Sequence, residues 1–351
     1  MTTCMAMEIA EQPATIAATV AALLPARQQL RRLAGDRRHL LLVARGTSDN
    51  AGVYARYLLE THTGRGASLA APSLATHYRV RRELSDTVVV SLSQSGGTEE
   101  IVETQAWAAA HGARTVAITN VGDSPLATEA QIALVVEAGE ELAVPATKSY
   151  TAQLTAVAVL ADALGPDGDS LETDLVRAPE EVARLLDHRH GVDAAIERLA
   201  GSGDAVTDHT LVTGRGLVYG TALEVALKLE ETCLEPVRGL SYADLRHGPI
   251  AVLDEQAATV LVAAKDGPLV GGMTELARDV RHLGAGTIGI GGDPAFAAAC
   301  DVEVAGPDLP EPLAPLGLIV PAQLVVEGLA RVRGLDPDAP RGLSKVTQTD
   351  T

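Results

Sequence analysis

Short apolar runs of strand length alternate with longer helical patterns along this whole chain, and that alternation restricts the fold more than any other feature. In the first half such runs lie near residues 39–44, 67–71, 87–92, 114–119 and 132–136. In the second half they lie near 209–213, 257–263, 286–290 and 301–305. Strands apolar at nearly every position are buried on both faces, and the intervening helices supply the covering layers. The expectation is an α/β chain with two tandem doubly wound parallel sheets of the flavodoxin or Rossmann kind.

The halves echo each other at an offset of about 170 residues, and self-similarity at a fixed period marks a repeated unit. Val43-Ala44-Arg45-Gly46-Thr47-Ser48 opens a helix ending Tyr57-Leu58-Leu59-Glu60, and Thr213-Gly214-Arg215-Gly216 opens one ending Leu227-Lys228-Leu229-Glu230. Gly112-Ala113-Arg114-Thr115 and Asp123-Ser124-Pro125 are matched by Gly284-Ala285-Gly286-Thr287 and Asp293-Pro294. With 351 residues, 46% of them apolar, there is material for two cores. The expected division is a helical segment 1–31, a first domain 32–167, a helical connector 168–197, a second domain 198–333 and an extended surface tail 334–351.

A net charge of −18 and 2% aromatic residues argue against a nucleic-acid partner, which needs a basic face or stacking platforms. Cys4, Cys233 and Cys300 form neither a disulfide framework nor a metal-ligand pattern, so no metal and a reducing, cytoplasmic setting are expected. The apolar run Ile16–Leu24 follows Glu8 and Glu11 and is too short to span a bilayer; it reads as a packing helix, with no membrane partner.

An anion site is written into the third strand. Thr87–Leu92 runs into Ser93-Gln94-Ser95-Gly96-Gly97-Thr98 and then into a helix. A helix start offers unpaired N–H groups and partial positive charge, glycine admits close approach, and hydroxyls add donors. Gly46-Thr47-Ser48 is expected on a neighbouring strand facing the same crevice. The alternative is that these hydroxyls are ordinary helix caps. The corresponding loop of the second half, Ala264-Lys265-Asp266-Gly267-Pro268, has lost hydroxyls and gained a carboxylate, so one phosphate site per chain is expected.

Glu224, Lys228 and Glu231 fall at i, i+4 and i+7 on one face of a helix from about Thr221 to Cys233. They read either as a surface ion pair or as a buried base tuned by its lysine. His247 lies in the turn Leu245-Arg246-His247-Gly248-Pro249, and Lys345 lies in the tail within Leu343-Ser344-Lys345-Val346-Thr347.

These motifs occur in order with Ala146-Thr147-Lys148-Ser149-Tyr150 and Pro340-Arg341, and together they resemble the sugar isomerase (SIS) superfamily. The chain is similar to the isomerase half of glucosamine-6-phosphate synthase and to stand-alone glucosamine-6-phosphate deaminases of this type. The resemblance implies a sugar phosphate held by Ser93, Gln94, Ser95 and Thr98, with Thr47 and Ser48 alongside, and no cofactor. It implies sugar contacts from Gly46, Val144, Ala146 and Ser344. Glu231 would shuttle the proton between C1 and C2 with help from Lys228, and Lys345 would lie near the carbonyl carbon. His247 would open the ring from the neighbouring subunit of a homodimer with a shared active site. Two positions depart from the synthases: Ala146 stands where they have a serine and Arg45 where they have a cysteine. With the first strand near residue 39, no glutamine hydrolysis is expected. The leading reading is conversion of glucosamine 6-phosphate to fructose 6-phosphate and ammonia. A lyase or dehydratase on an N-acetylhexosamine 6-phosphate and a non-catalytic sugar-phosphate sensor are the alternatives.

Overall fold

The computed structural model describes residues 2–201 and 209–345. Its strands form two all-parallel five-stranded sheets. The first contains β1 (His39–Val43), β2 (Gly66–Leu69), β3 (Thr87–Leu92), β4 (Arg114–Thr119) and β5 (Ile132–Val135), in the order β2-β1-β3-β4-β5. The second contains β6 (His209–Gly214), β7 (Val237–Ser241), β8 (Ala257–Ala263), β9 (Gly286–Gly291) and β10 (Val302–Val304), in the order β7-β6-β8-β9-β10. Counted from its own first strand, each sheet has the order 2-1-3-4-5. The central strands β3 and β8 are buried at every residue, as continuous apolar runs require.

All the expected strands are present, and β7 is one that the apolar pattern did not announce. Val-Arg-Gly-Leu-Ser is short, lies at the sheet edge and is only partly buried. Gly239 is there for packing: a Cβ at this position would stand 3.0 Å from Leu223 Cδ2 and 3.1 Å from Ala226 Cβ, on the helix crossing the strand.

The chain forms two compact units. Among the described residues, the first-sheet unit comprises Ala14–Glu141, Lys148–Val176 and 344–345, and the second-sheet unit comprises 2–13, Leu142–Thr147, 177–201 and 209–343. The stretch 168–197 is helical over Glu172–His188 and Val192–Ala200, and it contributes residues to both units. The run Ile16–Leu24 falls within the helix Gln12–Leu23 and ends in the short turn beginning at Leu24; the helix buries Thr15, Ile16, Thr19, Val20 and Leu23 and exposes the positions between. The helix Ala314–Val332 is long and apolar enough to cross a membrane, yet 83% of its apolar window is buried inside the protein, the composition of a core helix.

The tail departs from a plain surface run. Pro337 and Pro340 are buried, and the Asp338 carboxylate accepts from Cys4 N–H and Met5 N–H, both 2.8 Å, at the start of the helix Cys4–Ala10. Those donors are orphans of a helix start, so a carboxylate from 334 residues away caps the first helix. Val346 and Thr347 lie outside the described residues.

Candidate active site

In a sheet of order 2-1-3-4-5 the chain reverses direction of winding between its first and third strands, and the carboxyl ends there open a crevice. In the first sheet that crevice is bounded by the segments leaving the carboxyl ends of β1 and β3, which pair in parallel with Val43 opposite Ser91. Gly46-Thr47-Ser48 and Ser93–Thr98 are those segments. Both turns thus lie at the place where an α/β sheet accepts ligands.

The loop is shaped from within. Gly96 N–H donates to Ser93 Oγ (3.2 Å) and Gly97 N–H to Ser95 Oγ (3.3 Å). On its outer side the Gln94 carbonyl accepts from Asn120 N–H (3.1 Å) and the Gly96 carbonyl from Leu126 N–H (3.0 Å). Gly96 has φ +62°, and a Cβ there would fall 2.1 Å from Ser124 Oγ, so no other residue fits. Thr98 occupies the cap position of the helix Glu99–Ala110 without a side-chain capping bond, which leaves its hydroxyl outside the role of an ordinary cap. Ser93 is buried, and Gln94, Ser95 and Thr98 are half-buried. Arg45 makes a two-point pair with Glu100, at 2.9 and 2.8 Å, tying the turn after β1 to the helix after β3. Ser48 accepts from Gln153 Nε2 (3.0 Å), on the fully buried helix Lys148–Leu164.

Ser344 and Lys345 also belong to the first-sheet unit, and Ser344 is exposed. The Lys345 ammonium lies 2.8 Å from Glu141, a carboxylate with no exposed side-chain surface. Glu141 also accepts from Ser149 N–H (3.0 Å) and Ser149 Oγ (2.6 Å), at the start of the helix Lys148–Leu164. Burial pushes this carboxyl up, but the Lys345 charge and the Lys345 and Ser149 donors outweigh it and hold it below the usual range. Sequence reading missed Glu141, because nothing local distinguishes it from Glu140.

The second-sheet unit holds the other candidates. In the helix Tyr219–Cys233, Lys228 Nζ lies 2.5 Å from Glu231 and 3.5 Å from Glu224. The side chains of Lys228 and Glu224 are 1% and 0% exposed, and that of Glu231 is 25% exposed. This is not a surface ion pair: of the three interacting groups, Lys228 and Glu224 are buried and the Glu231 carboxylate is reachable. His247 is exposed, and its Nδ1 lies 2.7 Å from the Ala243 carbonyl. That contact calls for a proton on Nδ1 and leaves Nε2 as the acceptor. Val144 and Ala146, both half-buried, lie in the segment 142–147. The buried carboxylate Glu8 accepts from Leu142 N–H and Ala143 N–H, and Val144 N–H donates to the Asp338 carbonyl (2.8 Å), so that segment is fastened at two points.

The equivalent crevice of the second sheet is differently furnished. Lys265 pairs with Asp308, Asp266 accepts from Glu311 N–H (2.8 Å), and the Glu311 carboxylate lies where a side chain on Gly267 would stand. Burial first, and the Asp266 charge second, raise the Glu311 carboxyl above its ordinary range. The carboxylates of Asp266, Asp308 and Glu311 there disfavour an anion. Among the described residues no group of three or more His, Cys, Asp or Glu side chains is placed to hold a metal ion.

A parallel α/β sheet with a hydroxyl- and glycine-lined turn at its switch point places this chain among α/β folds that take ligands at the carboxyl ends of their strands. Residues 34–163 match the family model described as SIS domain, and this part of the chain is a SIS domain. Glutamine–fructose-6-phosphate aminotransferase (isomerizing) of Methanothermobacter thermautotrophicus is 35% identical over 316 residues, covering 89% of this chain and 52% of that one. The enzyme of the same name from Aquifex aeolicus is 31% identical over 350 residues, covering 99% and 58%. The chain thus spans about half the length of the curated relatives it matches. Among solved structures, the C-terminal domain of glucosamine-fructose-6-phosphate aminotransferase from Francisella tularensis superposes with TM-score 0.84 at 28% identity, covering 96% and 98%. Glucosamine-6-phosphate deaminase from Thermotoga maritima, 23% identical, shares the fold at TM-score 0.80 over 99% and 100%.

Proposed function

We propose that this chain is a cytoplasmic amino-sugar phosphate isomerase and deaminase, converting glucosamine 6-phosphate and water to fructose 6-phosphate and ammonia. The observation that carries the reading is the array on the helix Tyr219–Cys233, where buried Lys228 lies against one inaccessible carboxylate, Glu224, and one accessible carboxylate, Glu231. Burying two charges on a helix is costly and adds little to stability, so chemistry is the better reason for keeping them.

In the proposed mechanism the turn Ser93–Thr98 holds the phosphate through N–H and hydroxyl donors, and Thr47 and Ser48 add to it. His247 Nε2 takes the proton that opens the sugar ring. Glu231 removes the proton from C2 and returns it at C1, and Lys228 steadies the charge that develops. The product of that shift is a C2 imine, which water hydrolyses to the ketose with release of ammonia. Lys345 supplies positive charge near the carbonyl carbon. The active form is a homodimer to which His247 is contributed across subunits. Similarity to isomerizing aminotransferases at above 30% identity supports the substrate class.

The test is to incubate the protein with glucosamine 6-phosphate, N-acetylglucosamine 6-phosphate and fructose 6-phosphate, monitoring ammonia and ketose together. Equal amounts of ammonia and fructose 6-phosphate from the first substrate are expected. An unsaturated, ultraviolet-absorbing product from the acetylated sugar, or ketose without ammonia, would overturn the deaminase reading.

A further inference from the structure

We infer that Glu141 is the positioning residue for Lys345, holding the tail lysine as a fixed, charged group at the start of the helix Lys148–Leu164. The inference rests on the proposed function only in taking Lys345 to act on substrate. The geometry stands apart from it. A carboxylate with 0% side-chain exposure is a poor candidate for a casual surface contact, and its partner is 204 residues away in the sequence. Glu141 is itself immobilised, because Ser149 donates to it from both backbone and side chain at 3.0 and 2.6 Å. Charge-assisted bonds of this kind are short and directional. The lysine thus meets an acceptor that is pinned by Ser149 to the start of a helix buried along all of its 17 residues.

One turn further along that helix, Gln153 reaches Ser48 at 3.0 Å. The same helix therefore sets the height of both Lys345 and the Gly46-Thr47-Ser48 turn, through side chains at i and i+4. A flexible tail lysine with three rotatable donors would otherwise sample many positions. Glu141 would not touch the sugar; it would act through Lys345.

The test uses Glu141→Gln, which keeps the shape and an acceptor for Ser149 but removes the charge. Lys345 is modified with methyl acetimidate, read by peptide mass spectrometry, with Lys265 in the second-sheet unit as the internal control. Losing one ion pair should make Lys345 react about fivefold faster, with Lys265 unchanged. In parallel, kcat on glucosamine 6-phosphate should fall while KM stays within about twofold, the signature of a lost transition-state contact. Equal Lys345 reactivity in both proteins would overturn the inference, whatever the turnover. Faster Lys345 modification with unchanged turnover would leave the tether standing and remove Lys345 from the proposed mechanism. Should Glu141→Gln fold poorly, Lys345→Gln breaks the pair from the other side and leaves the Ser149 contacts intact. Backbone amides at 343–345 should then exchange faster with solvent deuterium, and unchanged exchange would overturn the tether.

Discussion

Lys228 is 1% exposed and lies between two carboxylates, Glu224 sealed from solvent and Glu231 open to it. Breaking a buried ion pair from one side is far more costly than replacing both partners, because the remaining charge keeps its desolvation penalty. Lys228→Met should therefore lose about 3 kcal/mol of stability, and Glu224→Gln with Lys228→Met should lose clearly less. Urea unfolding of the two proteins decides it; equal losses would mean that the pair is not coupled. At the neighbouring position, Glu231→Gln should lower kcat on glucosamine 6-phosphate by about 10²–10⁴-fold, the usual range for a general base. Calorimetric affinity for the sugar phosphate should change little, and near-normal turnover would remove Glu231 from the proton transfer.

At the scale of elements, the turn after β3 depends on Gly96 for its shape and, under the proposed function, on its hydroxyls for affinity. Replacing Ser95 and Thr98 together by alanine should weaken glucosamine 6-phosphate by about 1–3 kcal/mol, the loss expected for hydrogen bonds to a charged group. Unphosphorylated glucosamine should be affected much less, and an equal loss for both sugars would argue against an anion in this turn. Strand β7 carries the opposite lesson. Its Val-Arg-Gly-Leu-Ser looks like a turn, since Gly and a charged residue interrupt any apolar period. It is a strand because β6 supplies a parallel partner and the helix above needs a missing side chain at Gly239. Local pattern could not reveal that, whereas β3 and β8 advertise themselves by being apolar throughout.

At the scale of the whole molecule, carboxylates reaching across long sequence separations recur, and two of them make stability depend on acid. Glu141 and Asp162 are both held below their ordinary range: burial opposes this, while Lys345 and Ser149 for Glu141, and Arg27, Ser170 and Leu171 N–H for Asp162, prevail. A carboxylate with a depressed folded-state pKa stabilises fully above its unfolded pKa, and that stability is lost as pH falls through the folded value. Thermal midpoints should therefore drop below about pH 4, the ordinary carboxylate range. Glu141→Gln with Asp162→Asn should be less stable at neutral pH but show a shallower acid limb, and an identical limb would assign the acid sensitivity elsewhere.

Three things were open to reading from residues alone: the sheet-forming runs, the hydroxyl turn ending β3, and the helix carrying Glu224, Lys228 and Glu231. Each is a periodic or contiguous pattern, and period and adjacency are properties of a chain before it folds. Whether Lys228 is buried, that Glu141 meets Lys345, that Arg45 clamps Glu100, and that Asp338 caps the first helix were decided by the tertiary structure. Those contacts join residues 55 to 334 positions apart, or depend on what packs over a helix face. No local signal encodes them, because desolvation and long-range pairing come into being only when distant segments are brought to one place.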